Sequence, residues 1–132
     1  MEPKARISIE EFSKIEVKVG TVQSAERIPE TDKLIRCSVD FGLKHSQGEG
    51  SADQPEAGVG GERDIRTIVS GVAAYVSDPS DLVGRQLAYV TNLEPRTIRG
   101  IESNGMLFAV GEGESFAFLT PDRPVPPGTA AH

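Results

Sequence analysis

A glycine interrupts the first strongly patterned stretch of this chain. Ile15, Val17 and Val19 alternate with Glu16 and Lys18, the period of a half-buried strand with its charges outward. Gly20 falls in mid-run, and Thr21, Val22 and Ala25 resume the pattern. A glycine inside a strand marks a bulge or a sharp coil. Small barrels need such a bend, because one long first strand must serve both sides of the closure.

The rest of the chain repeats short strands between turn signals. Ser8-Ile9-Glu10-Glu11 is a capping box, with Ile7 and Phe12 placed as a hydrophobic staple, so a short helix precedes the first strand and ends near Lys14. Pro29 to Lys33 is a turn. Leu34 to Phe41 is a second strand with Ile35, Cys37, Val39 and Phe41 on one face. Asp64 to Val69, Leu87 to Thr91 and Met106 to Val110 read as the third, fourth and fifth strands, and Ser115 to Leu119 as a further short one. Between the third and fourth, Val72 to Val76 and Ser77 to Gly84 suit a helical turn or two plugging a barrel end. This pattern predicts an all-β, OB-fold five-stranded Greek-key barrel with a short N-terminal helix and a helical plug.

Three segments stand outside the barrel. Residues 1–6 read as a loose arm. Residues 43–63 carry two Lys/Arg against four Asp/Glu, and five glycines fall between Gly48 and Gly61. Such composition cannot offset its ordering entropy by burial, which predicts a mobile hairpin loop with His45 as a solvated residue at its edge. The proline-stiffened tail, Pro121 to Gly128, is expected not to continue a ladder.

The stretch Asn92 to Val110 is the most informative. Its centre holds Pro95, Arg96, Arg99, Gly100, Ser103, Asn104 and Gly105, and reads as a surface loop between two buried strands. Two arginines three residues apart in such a loop can present two guanidinium forks on one side of a sheet. A purely structural connection needs only the turn residues. Asn92, Ser103 and Asn104 add short hydrogen-bonding groups, although asparagines also form turns. Met106, beside Leu107 and Phe108, fits either a contact or a core position.

Composition narrows the chemistry. At 132 residues the chain is one domain, large enough for a core without staples. The single Cys37 excludes an internal disulfide framework, and with two histidines a structural zinc site is not expected. No nucleophile elbow, phosphate-binding glycine loop or metal-ligand spacing occurs. Ser70 before Gly71 has no base beside it. The expectation is therefore no enzyme, no metal and no cofactor. The first thirty residues carry acids and no long apolar run, which predicts no signal peptide, no membrane span and a cytoplasmic location. A net charge of −6 argues against coating nucleic acid by bulk electrostatics. With five Phe, two Tyr and no Trp, the chain suits a folded RNA read by shape and backbone better than unstacked bases read on aromatic platforms.

The string Asn92-Leu93-x-Pro95-Arg96-x-x-x-Gly100-x-x-Ser103-x-Gly105-Met106 resembles the signature of the tRNA-binding domain family. That family includes the C-terminal domain of bacterial methionyl-tRNA synthetases and small stand-alone tRNA-binding proteins; CsaA-type secretion chaperones share its fold. Phe12 with Val17 to Val22, Asp32-Lys33-Leu34, Ile68 to Val72, Leu82-Val83-Gly84 and the tail from Pro121 to Gly128 extend the resemblance to about 110 residues. The 43–63 insert is unmatched, and Glu94 and Thr97 stand where the family often has basic residues.

The resemblance implies a non-catalytic OB-fold that binds the outside corner of folded tRNA, alone or as an accessory to an aminoacyl-tRNA synthetase. It implies a homodimer built partly from residues 111–132. Carried over by position, the RNA-contact residues are Lys18, Asn92, Arg96, Arg99, Ser103 and Met106, with Lys33 beside them. The alternatives are a CsaA-like chaperone binding unfolded polypeptides in apolar grooves, and an OB scaffold that only docks to a protein.

Overall fold

The computed structural model describes residues 4–44 and 62–132. Most of the 43–63 insert, His45 and the first three residues of the arm lie outside the described residues. A one-turn helix α1 (Ile9–Phe12) is followed by nine strands: β1 (Val17–Arg27), β2 (Ile35–Leu43), β3 (Arg63–Ser70), β4 (Gln86–Val90), β5 (Arg96–Ile98), β6 (Ile101–Ser103), β7 (Met106–Leu107), β8 (Ala109–Val110) and β9 (Ala117–Phe118). The fold is all-β. Its body is a curled, antiparallel five-stranded sheet in the order β3-β2-β1-β4-β7, the strand order of an OB-type barrel.

Strand β1 is shared between two partners. Its first half, Val17 to Thr21, pairs with β4, and its second half, Thr21 to Arg27, pairs with β2. Gly20 lies at the changeover, but the register shift falls between Val22 and Ser24. The glycine answers a different need. A Cβ there would lie 2.4 Å from Val39 Cγ1 and 2.7 Å from Phe41, so the bend brings β1 too close to β2 for any side chain.

Registered partners in an antiparallel pair share a face. Val22, Leu87, Tyr89, Ile35, Cys37, Val39, Phe41 and Ile68 therefore line one interior, each nearly or fully buried. Burial pushes the Cys37 thiol up to about 11 and raises the Tyr89 phenol well above its ordinary range. Two 3₁₀ turns, Ala73–Tyr75 and Pro79–Leu82, insert Ala73, Val76 and Leu82 into the end of this interior, as the plug was expected to do. Asp78 caps the second turn, and the Ser80 amide and hydroxyl hold its carboxyl below the usual range.

At the N-terminus, the Ser8 hydroxyl accepts from the Glu11 amide at 3.0 Å, which is half of the expected capping box. Ile7 and Phe12 both stay exposed rather than closing a buried staple.

Two expectations are corrected. The centre of the Asn92–Val110 stretch is a β-hairpin, not a loop. β5 pairs with β6 across the two-residue turn Arg99-Gly100, both at positive φ (53° and 81°), the I′ geometry that matches strand twist. The tail does continue a ladder. Once past Pro127, Gly128 donates to Val19 O (2.7 Å), Val19 to Thr129 O (2.9 Å) and Ala131 to Val17 O (2.8 Å). All four tail prolines precede this segment, so each amide the ladder needs is present. The described ends of the insert pair as the ends of a hairpin do: Leu43 registers with Arg63, and the Lys44 amide donates to Glu62 O at 2.8 Å.

Candidate nucleic-acid interface

The hairpin β5–β6 lies across the free edge of β3 and stitches the curled sheet toward closure. The Asn104 amide donates to Thr67 O at 2.9 Å, and the Val69 amide donates to Ser103 Oγ at 2.9 Å. Arg66 completes the seam. Its Nη1 donates to Thr91 O at 2.7 Å, Asp64 holds its other nitrogens at 3.1 Å, and it lies over the Phe41 ring. Sequence reasoning passed over Arg66. The available signal was its parity with Ile68, which places a charge on the interior side of the strand and so requires partners.

The seven expected contact residues divide into two kinds. Ser103 is 3% exposed, and its hydroxyl is taken by Val69. It was expected at the RNA surface and instead satisfies an edge amide that would otherwise be buried without a partner. Asn92 is exposed, but its carboxamide bridges the chain before β1: Nδ2 donates to Lys14 O at 2.6 Å and Oδ1 accepts from Glu16 N at 2.9 Å. Lys18 shares the interior face with Tyr89 and sits at one barrel mouth near Lys44, Asp64, Arg66 and Asn104, with Glu16 3.9 Å away.

The remaining four are open. Arg96 begins the hairpin and Arg99 forms its tip; both are exposed and, among the described residues, neither has an ion-pair or hydrogen-bond partner. The I′ turn explains why Arg99 projects, because a two-residue turn leaves its side chain nothing to pack on. Lys33 is exposed on the β1–β2 turn, and its carbonyl accepts from Ala73 N at 3.1 Å. That bond brings Lys33 to the end of β3, where Arg96 lines a cleft with Ser70 and Gly71. Met106 is 42% exposed and stands between that cleft and a second, apolar one.

The second cleft has a volume of about 500 Å³ and is walled by Phe12, Ile15, Val17, Leu93, Met106 and Phe108. Its floor is the outer face of the sheet, since Val17, Val90 and Met106 are register partners. Outer barrel faces normally carry polar residues, so this is an unpartnered apolar surface.

No group of three or more His, Cys, Asp or Glu side chains able to hold a metal occurs among the described residues, and no helix there is long and apolar enough to cross a membrane. The interface can offer guanidinium and ammonium groups to anions, and an apolar face beside them.

Residues 58–130 match the family described as "Putative tRNA binding domain". The chain is 45% identical over 123 residues, 93% of its length, to a methionine–tRNA ligase of Methanoregula boonei, but spans only 15% of that protein. Among solved structures it is similar to a MetRS related protein from Pyrococcus horikoshii, with a TM-score of 0.74 and 31% identity over 98% of this chain and 100% of that one. It is also similar to the chaperone CsaA from Bacillus anthracis, with a TM-score of 0.72 and 25% identity over 97% and 100% of the two chains. The family match and the similarity to a solved relative covered from end to end agree: this chain belongs to the tRNA-binding domain family.

Proposed function

We propose that this chain binds folded tRNA by shape and phosphate backbone, without catalysing a reaction, and supplies that affinity to an aminoacyl-tRNA synthetase in the cytoplasm. The similarity to part of methionine–tRNA ligase makes the methionyl enzyme the synthetase of choice. The observation that carries the reading is the pair Arg96 and Arg99, exposed and, among the described residues, without side-chain partners, on a hairpin whose position the Ser103 and Asn104 bonds fix. The planar guanidinium fork matches a phosphate bidentately, and the fixed hairpin spares the backbone's share of the ordering cost. Lys33 and Met106 flank them as further contacts. Asn92 and Ser103 act from behind, by holding the sheet and the chain before β1 in place, and Lys18 offers a further cation at the barrel mouth. Confining the cations to one edge also accommodates the net charge of −6, because a local patch and not the total steers a polyanion.

We propose further that a second copy covers the apolar outer face, giving a homodimer with two hairpins. The C-terminal contribution comes from Ala131 and His132, which line that cleft, while residues 128–131 stay paired to β1 of their own chain. The same apolar face favours one alternative, the capture of unfolded polypeptides as in the CsaA-like reading.

Fluorescence anisotropy of labelled tRNA, with a plain hairpin RNA as competitor, tests the first reading. Salt-sensitive binding that prefers folded tRNA is expected. Equal competition by the hairpin, or no binding at low salt, removes it. Suppression of client aggregation that is indifferent to Arg96 and Arg99 would move the chain to the chaperone reading.

A further inference from the structure

The cleft at the end of β3 has a volume of about 310 Å³ and a mixed lining. Part of that lining is apolar: Val72, Leu107, Ala109 and Phe116. Phe116 is held rigid, stacked on Tyr75 with ring centroids 4.0 Å apart and edge-on to Phe118 at 5.1 Å. The lining also includes Ser70, Gly71 and Arg96, whose hydroxyl, amide and guanidinium have no partners among the described residues. The Gly71 amide is unpaired for a topological reason. Alternate amides of β3 face its free edge, and Asn104 and Ser103 cover that edge only as far as Val69. Beyond Val69 the seam is open, and the cleft is that opening.

A duplex offers such a cleft only its phosphates, because its bases are stacked and paired. A cleft lined by both an aromatic ring and three unpaired donors instead matches one nucleotide, which carries a flat base and an anionic phosphate. We propose that this cleft takes a single unpaired nucleotide of the bound RNA, its base against Phe116 and its phosphate on Arg96 and the Gly71 amide. The inference rests on the tRNA-binding reading above and adds a component of recognition that shape and charge lack. It also gives Ser70 a role, since its hydroxyl can both donate to and accept from a base edge.

Two measurements on the full chain test it. In the first, the nitrogen-15-labelled protein is titrated with each of the four ribonucleoside 5′-monophosphates, and with inorganic phosphate as the control. Amide shifts centred on Gly71, Gly111 and Phe116, larger with a nucleotide than with phosphate, are expected. In the second, tRNA affinity is measured for Phe116→Leu and Ser70→Ala across a salt series. Phe116→Leu keeps apolar bulk and should weaken binding about fivefold or more with its salt slope unchanged. Arg96→Ala should lower the slope by about one unit. Ser70→Ala, which removes one oxygen only, guards against a folding defect in the phenylalanine variant. Wild-type tRNA affinity in both cleft variants, together with no nucleotide shifts at Gly71, overturns the cleft and leaves tRNA binding standing. Failure of tRNA to bind at all removes the function above, and the mononucleotide shifts then decide the cleft alone.

Discussion

Met106 divides two clefts that share a wall and little else. On one side lie Ser70, Gly71 and Arg96, with unpaired donors. On the other lie Phe12, Val17, Leu93 and Phe108, with almost no polar group. Both arise from the same short strand, because β7 pairs with β4 at only Leu107 and Met106 and then gives way. On the inward parity the sequence continues the core. On the outward parity it leaves the sheet bare. The difference shows how one strand end can serve a polyanion and an apolar partner together, with the two ligands kept apart by the thickness of the sheet.

The comparison predicts that the clefts fail separately. The largest effect is expected from replacing Arg96 and Arg99 together by alanine. Each lost charge-assisted contact is worth about 1.5–3 kcal/mol, and the salt slope of tRNA binding should fall by about two units. Thermal stability and oligomeric state should not change, because neither side chain has a partner within the described structure; a large fall in melting temperature would show that the arginines support the fold. Phe108→Asp attacks the other side. Phe108 is 44% exposed, so the monomer should keep its fold, while sedimentation should show a shift from dimer to monomer at micromolar concentration. Unaltered association would exclude this face as the dimer contact.

Ser103→Ala tests whether the seam supports both clefts. It leaves the buried Val69 amide without its acceptor, at a cost of about 1–3 kcal/mol, which for a chain of this size lowers the melting temperature by roughly 5 °C. tRNA affinity should fall with stability and recover at lower temperature, unlike the loss from the arginine variants. An effect confined to high pH, and absent near neutrality, concerns the core behind both clefts. Cys37 holds its proton up to about pH 11 when folded, against an ordinary 9.0. Above pH 9 the unfolded chain releases that proton and the folded one does not, so stability should decline with rising pH and level off near 11 as far as this group is concerned. Chemical denaturation of Cys37→Ala across that window should show a shallower decline.

The alternating runs and the capping serine were legible because they depend on neighbours in sequence. β2, the plug and the Ser8 cap follow from local periodicity, and so does the existence of β1, but the facing of its first half was read backwards: Lys18 shares the interior face with Tyr89, and Val17 lies on the outer face with Val90 and Met106. The hairpin was not, since its strands are three residues each and its turn begins with Arg99 where asparagine or aspartate is the usual signal. Ile98 and Ile101, flanking that turn, were the clue available. The tail was misread because prolines dominate its first half while glycine, threonine and alanines make the contact. Ser103 and Asn92 had the right chemistry for an interface. Their partners, Val69 and Glu16, lie 34 and 76 positions away, a distance no window on the sequence spans. Lys33 carries no local mark of its place at the end of β3, which follows from the pairing of Ile35 with Ser70 and from its carbonyl accepting from Ala73.

The shared strand β1 has a consequence for when this domain can form. Its first half needs β4 on one edge and residues 128–131 on the other. One of the first strands made therefore waits for almost the last residues of the domain. High contact order of this kind places folding in the millisecond-to-second class. Until Thr129 and Ala131 have left the ribosome, the edge of β1 from Val17 to Val19 stays unpaired. The nascent chain thus carries an open edge strand, and residues 128–131 act as the latch that closes it.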